Sequence, residues 1–277
     1  VTVREAIEQS LNVPFARIGL TVGPERIVAT ARRLGITSPL HPVPSLALGS
    51  SEVTLLELVR AYGVFAAGGS LSPATALLGP ARLGDDPPLR EPPEASRVVD
   101  PAEAYLVTSA LEGVIARGTG RALAGVGRFG DLAGKTGTSN DGRDAWFVAY
   151  SPALVVGAWV GFDDGRAAGL TGAGAALPIV ARFLDQAAPT DGWSSFPVPD
   201  GIEVAQVGGS EQGWFDSCGS REVFLEGTAP ESECGGFRFP EWDRPDLERW
   251  RVRVESRSGR VMAELLERLL ERAREER

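Results

Sequence analysis

Apolar positions recur at helical spacing through most of the first 120 residues, give way to short alternating runs, and then return to a helical period. Residues 2–11 carry the first helical pattern. Asn12, Val13 and Pro14 interrupt it, and Pro14 suits the first turn of a second helix that Gly23 ends. Pro24 opens a third helix, closed by Gly35. Ser50 or Ser51 is placed to cap a fourth that runs to about Ala67, where Gly68 and Gly69 stop it. Residues 78–100 are proline-rich, and "DDPPLREPPE" predicts a surface loop. A helix follows over 101–118, opened by Pro101 and ended by Gly118.

From residue 128 the period shortens. "RFGDLAGKTGTS", "AWFVAYS" and "LVVGAWVGF" are rich in Val, Phe and Trp and bounded by turn residues, which predicts antiparallel strands. The stretch "ALVVGAWVGF" at 153–162 reads as a pair of buried strands. A helix returns at 177–188. Helices on either side of a strand meander predict an α+β domain whose antiparallel sheet is covered by helices. The pattern divides the chain at Pro189: a domain over 1–189, a small irregular or β-rich extension over 190–250, and a C-terminal helix within 251–277. That helix is amphipathic, with Val261, Met262, Leu265, Leu266, Leu269 and Ala273 in one stripe for its own domain or for a partner.

Composition narrows the function classes. At 277 residues the chain can bury one sizeable core. A net charge of -9 argues against a nucleic-acid partner, because nothing supplies counterion release. No run of about 18 apolar residues is present. The opening "VTVREAIEQS" has neither an initiator methionine nor a signal pattern, so an upstream segment is expected. Cys218 and Cys234 are the only cysteines and His41 the only histidine, which leaves no set of zinc ligands. The choice for the cysteines is a disulfide or two free thiols. A bridge is expected, and with it an extracytoplasmic setting. His41, in "SPLHPVPS", reads as a surface loop residue rather than a catalytic base.

One residue changes the picture. Of 28 basic residues only Lys135 is a lysine, and it opens Lys135-Thr136-Gly137. Lysine offers a compact ammonium with rotatable donors where arginine offers a broad planar fork, so a narrow groove that holds a carboxylate favours the former. Gly137 weakens a strand unless something approaches its backbone. Thr136 and Thr138 share the opposite face from Gly137, and their hydroxyls with the exposed backbone suit an extended peptide ligand. The plainer alternative is a strand-end lysine beside a bulge glycine. A second triplet, Ser10-Leu11-Asn12, lies at a helix-to-turn junction, where Asn12 as a helix cap and Ser10 as a solvated side chain is the simpler alternative.

Together, Ser-x-Asn and Lys-Thr-Gly resemble the pair that accompanies Ser-x-x-Lys in penicillin-recognising serine acyltransferases. "TVREAIEQSLNVPFARIGLTVG", "LALGSSEVTLLELVRAYGVFAAGG", "YLVTSALEGVIARGTGRAL" and "AGKTGTSNDGRDAWFVAYSPALVVGAWVGFDD" are similar to the transpeptidase domain of class A penicillin-binding proteins, the bifunctional cell-wall synthases. "EVFLEGTAPESEC" resembles the cysteine-flanked tail of some members. The resemblance covers roughly residues 1 to 235, and "DAWFVAYSP" is its most specific part.

The resemblance implies the penicillin-binding transpeptidase and serine β-lactamase-like fold, with its N-terminal part lying before Val1. It implies D,D-transpeptidation on D-Ala-D-Ala stem peptides without a cofactor or metal, and a glycosyltransferase module upstream. By carry-over, Lys135 steers the substrate carboxylate, and Thr136 and Thr138 hydrogen-bond it along Gly137. The Thr138 N–H forms half of an oxyanion hole, Ser10 relays a proton, and Asn12 binds a substrate amide. One departure is decisive: Leu132 stands three residues before Lys135, so no Ser-x-x-Lys exists in these residues. The chain alone is therefore expected not to acylate. It is also expected to expose an apolar sheet face and to dissolve poorly. The other readings are a scaffold that kept only the carboxylate site, and a β-lactamase-like hydrolase. Implied partners are stem peptides, β-lactams in the complete protein and other cell-wall synthesis proteins. The implied location is the extracytoplasmic face of a bacterial membrane, held by an upstream anchor.

Overall fold

Two helix starts and one sheet organise the molecule. They are seen in a computed structural model that describes residues 1–75, 94–126, 131–207 and 220–230. Cys218 and Cys234 with their expected bridge, the predicted loop up to residue 93 and the predicted helix at 260–277 lie outside the described residues.

Helix α1, Val3–Glu8, is capped by Thr2, whose hydroxyl accepts from the Glu5 N–H at 3.1 Å. It is shorter than the predicted 2–11 because Ser10 takes the left-handed conformation, φ 54°, and Leu11 N–H turns back to Ala6 O at 2.9 Å. Helix α2, Asn12–Val22, starts two residues before Pro14. Pro14 then sits third in the first turn, where a missing N–H leaves no bond unmade. Asn12 is not its cap, since Leu11 holds that position without a side-chain bond. Helix α3, Pro24–Arg33, follows the proline signal, and Gly35 with φ 95° closes it.

Helix α4, Leu55–Ala66, corrects the sequence reading at its start. Its cap is Thr54, not Ser50 or Ser51: Thr54 Oγ1 accepts from Glu57 N–H at 3.2 Å, and Glu57 accepts from Thr54 N–H at 3.0 Å. This reciprocal box satisfies two donors at once, which neither serine offers. The serines lie beyond an unforeseen 3-10 turn, Pro44–Leu48. Two short strands, β1 Ser70–Leu71 and β2 Ser96–Arg97, pair across the proline-rich segment. Helix α5, Pro101–Ala116, carries Pro101 in its first turn and is capped by Asp100, which accepts from Ala102 N–H at 2.8 Å.

The main sheet runs in the order β3 (Ala133–Thr138), β4 (Asp144–Tyr150), β5 (Val155–Gly161), all antiparallel. The stretch read as a pair of strands at 153–162 contributes one strand. Its ladder with β4 runs unbroken from Asp144↔Gly161 to Tyr150↔Val155. Gly157 marks a close approach and not a turn: a Cβ there would fall 2.5 Å from the Val59 side chain of α4.

Alternation along the strands builds three layers. Phe147, Ala149 and Ala158 pack with Leu177, Val180 and Leu184 of α6, Leu177–Ala187. Ala133 and Tyr150 pack on the other side with Leu111 and Val114 of α5. Both faces of the sheet thus carry helices among the described residues, and the expected bare face is not there. The exposed apolar surface lies elsewhere: Ile179 and Phe183, one turn apart on α6, are 53% and 50% exposed. Strands β6, Ile202–Val207, and β7, Ser220–Leu225, form a separate pair. The chain divides into two compact units, the larger of which takes Val1–Ala205 with Arg221–Glu231.

Candidate active site

Among the described residues strand β3 lies at one edge of the sheet, with β4 on a single side. Its third residue is Lys135. The Lys135 ammonium donates to Ser10 Oγ at 2.8 Å and to Thr136 O at 3.0 Å. Ser10 reaches this position because the left-handed turn that ends α1 redirects the chain there. The two triplets, 125 residues apart in sequence, therefore meet through their first members.

The ammonium makes no ion pair among the described residues. Burial in low-dielectric surroundings pushes its pKa down from 10.5 to about 8. A half-buried cation without a counter-ion is costly in the free protein. It suits a ligand that brings its own negative charge.

The threonines are placed around this charge by separate contacts. Thr136 Oγ1 lies 2.7 Å from Thr119 Oγ1, in the turn after α5. Thr138, exposed at the end of β3, accepts from Gly172 N–H at 3.0 Å. Gly172 opens a short π-helical turn, Gly172–Ala176, that leads into α6. Gly137 is paired with Trp146, whose Cβ would stand 3.2 Å from a Cβ at that position. Asn12 is exposed in the first turn of α2 and makes no hydrogen bond to Ser10, Lys135 or the threonines. His41 is exposed, as its loop setting predicted.

Sequence reasoning missed the parts that hold α1 in place. Glu8, on the last turn of α1, is buried and ion-paired with Arg117. Glu8 O accepts from Thr119 N–H at 3.0 Å, and Gln9 Nε2 donates to Arg117 O at 3.3 Å. The one signal for these contacts was "RGTGRAL", quoted above for its resemblance and not for its charge.

The arrangement is an edge strand bearing an uncompensated ammonium, two hydroxyls and open backbone beside a serine. Such an edge can take an extended peptide as an added strand and its carboxylate at the cation.

The chain is similar to several known proteins. The family model described as the penicillin binding protein transpeptidase domain matches residues 1–175. Penicillin-binding protein 1B of Vibrio cholerae is 33% identical over 240 residues, covering 86% of this chain and 29% of that protein. Penicillin-binding protein 1A of Rickettsia conorii is 35% identical over 232 residues, covering 75% of this chain and 29% of that protein. The chain thus spans less than a third of the length of these curated relatives. Among solved structures, penicillin-binding protein 1A of Haemophilus influenzae superposes with a TM-score of 0.71 at 26% identity, over 83% of this chain and 40% of that chain. PonA1 of Mycobacterium tuberculosis, in complex with penicillin V, gives 0.53 at 25% identity, over 67% of this chain and 55% of that chain. With more than half its length matched by that family model, and class A proteins as its relatives, the chain belongs to the penicillin-binding protein transpeptidase family.

Proposed function

We propose that this chain carries the carboxylate-binding side of a peptidoglycan D,D-transpeptidase, and that the acylated serine is supplied by residues outside it. The observation that carries the reading is the Lys135 ammonium, unpaired by any carboxylate among the described residues and 2.8 Å from Ser10 Oγ on an edge strand. A D-Ala-D-Ala stem peptide lies along β3 past Gly137. Its terminal carboxylate takes the charge of Lys135 and the hydroxyls of Thr136 and Thr138. Thr136 and Thr138 have other partners in the free protein, so binding exchanges those bonds rather than adding new ones.

In the chemical step a serine hydroxyl attacks the penultimate carbonyl, the peptide C–N bond breaks, and D-Ala leaves. The Thr138 N–H stabilises the oxyanion, Ser10 passes a proton to the leaving nitrogen, and Asn12 holds a substrate amide. The acyl group then moves to an amine of a neighbouring stem peptide. No Ser-x-x-Lys occurs in these 277 residues, so this chain binds and does not acylate. The parent protein is a bifunctional cell-wall synthase at the outer face of a bacterial membrane, where β-lactams and other synthesis proteins also meet it. A scaffold that only binds is the second reading, favoured by that same missing motif. A β-lactamase-like hydrolase has less support, because the relatives are penicillin-binding proteins by name and the matching family model is a transpeptidase domain.

The lone lysine supplies the test. Chain labelled with 13C-lysine gives one lysine ε-methylene carbon signal, which is followed as an acyl-D-Ala-D-Ala peptide is added. A saturable shift is expected, and the same peptide ending in a carboxamide should give none. Equal responses to acid and amide, or no response to either, would overturn the reading. Stable attachment of a fluorescent penicillin to this chain would overturn the claim that the nucleophile lies outside it.

A further inference from the structure

A line of alternating charge runs beneath α1: Glu222 of β7, Arg4, Glu8 and Arg117. Arg4 pairs with Glu222 and donates to Ser109 O at 2.9 Å and Ser109 Oγ at 3.2 Å on α5. Glu8 is the member without solvent, its side chain 8% exposed. A carboxylate is held in such a place only when charged donors meet it. Both its oxygens are met: Arg117 reaches them with Nη2 and Nε, the latter at 3.2 Å, and Arg4 Nη1 stands 3.9 Å away.

Helix α5 and the turn after it leave room for Glu8. A Cβ on Gly113 would fall 2.0 Å from Glu8 Oε1, and one on Gly118 would fall 2.1 Å from Glu8 O. Neither position admits a side chain while α1 stays where it is. The turn that Glu8 clasps then touches the site from its other end, since Thr119 gives its N–H to Glu8 O and shares a hydroxyl–hydroxyl hydrogen bond with Thr136. One short segment, 117–119, therefore fixes both the end of α1 and the strand that bears Lys135.

We propose that Glu8, through Arg117, is a positioning residue that sets the Ser10 hydroxyl against the Lys135 ammonium. Its functional meaning rests on the reading of that pair given above, but its geometry does not. Glu8 acts by placement: its carboxylate meets Arg117 and not Lys135, and burial is what lowers the Lys135 pKa. When the clasp is released, the end of α1 moves off, Ser10 leaves, and water reaches the ammonium.

The test needs no ligand. Chain labelled in lysine and serine shows an NOE between the Lys135 ε-methylene and the Ser10 β-methylene, assigned through Ser10→Ala. In Glu8→Gln and in Arg117→Ala that NOE is expected to be lost. The Lys135 titration midpoint should rise from about 8 toward the 10.5 of an ordinary lysine. In Glu8→Gln the loss of a nearby negative charge would by itself lower that midpoint, so a rise there separates placement from electrostatics. In Arg117→Ala the NOE alone decides, because losing a positive charge would itself raise the midpoint. Glu8→Gln leaves no unpaired charge in the buried site and releases Arg117, 59% exposed, to solvent, so it keeps the fold if Arg117→Ala does not, and a cooperative melt verifies this. An unchanged NOE and midpoint in folded Glu8→Gln would overturn the proposal. Failure of the wild-type chain to answer the stem peptide would strike the function alone and leave this result standing.

Discussion

Lys135 gives its ammonium hydrogen to Ser10, and no carboxylate among the described residues shares that charge. The pair is thus tuned by solvent exclusion, and its response to pH follows. The folded lysine releases its proton near 8, whereas the unfolded one holds it to about 10.5. Between those values the unfolded state binds more protons, so stability rises with pH across the window, and below it the burial of charge is borne in full. Ligand binding runs the other way. A carboxylate needs the ammonium, so affinity for an acyl-D-Ala-D-Ala peptide should halve near pH 8 and fall about tenfold for each further unit. Isothermal titration from pH 6 to 10 measures this. A flat profile would show that the charge of Lys135 does not hold the carboxylate.

Glu57 is a second buried carboxylate with a different task. Beyond its capping box it accepts from Thr37 N–H at 2.7 Å, Ser38 N–H at 2.8 Å and both of those hydroxyls. These bonds hold its pKa well below the usual carboxylate range, the Ser38 hydroxyl contributing most. A depressed folded pKa contributes stability that is complete above about 4.5 and is lost as pH falls toward the folded value. Glu57→Gln turns a donor toward donors and should cost about 2 kcal/mol at neutral pH. The loss should shrink in acid, which denaturant melts at pH 7 and pH 3 will compare.

That clasp also shows where the sequence was legible. Thr54 with Glu57 three residues on is a capping-box signature, and it stood in the sequence beside Ser50 and Ser51, which merely have the right side chains. Helix α5 was readable because Pro101 and a sustained apolar period agree, and β3 and β4 because their runs are short and bounded by turns. The pair at 153–162 was misread because Gly157 resembles a break, although it is cleared for Val59. Lys135 stood out by being alone of its kind. Its meeting with Ser10 depends on a left-handed residue ending α1, and no periodicity signals a single φ. Glu8 with Arg117 was hidden for the same reason, since a partner 109 residues away leaves no local mark.

Within the core, Tyr150 donates to Thr108 Oγ1 at 3.1 Å, and both residues are fully buried. The bond ties β4 to α5 at the back of the site. Tyr150→Phe and Thr108→Val should each cost about 1 kcal/mol, since each leaves one polar group without its partner. The double variant should cost less than the sum, because the second change removes a group already unpaired. A double-mutant cycle on denaturant midpoints tests this, and strict additivity would mean the hydroxyls do not interact.

Lys135→Arg asks why a chain that otherwise uses only arginine keeps one lysine. Charge is preserved, so a site that needs only positive potential should bind its carboxylate as before. The geometry argues otherwise. The ammonium reaches Ser10 Oγ and Thr136 O from a single nitrogen, at 2.8 and 3.0 Å. A guanidinium is planar, larger and fixed in its fork, and cannot direct one nitrogen at both oxygens in that space. It also resists losing its proton, so the uncompensated charge would remain in the buried site at every accessible pH. The variant should therefore bind the acyl-D-Ala-D-Ala peptide about tenfold more weakly. It should melt at a lower temperature and lose the pH-dependent rise in stability between about 8 and 10.5 that the lysine gives. Calorimetric titration with the peptide and melts at pH 7 and 10 read all three. Binding as tight as wild type would mean that charge alone, and not the compact donor, accounts for the single lysine.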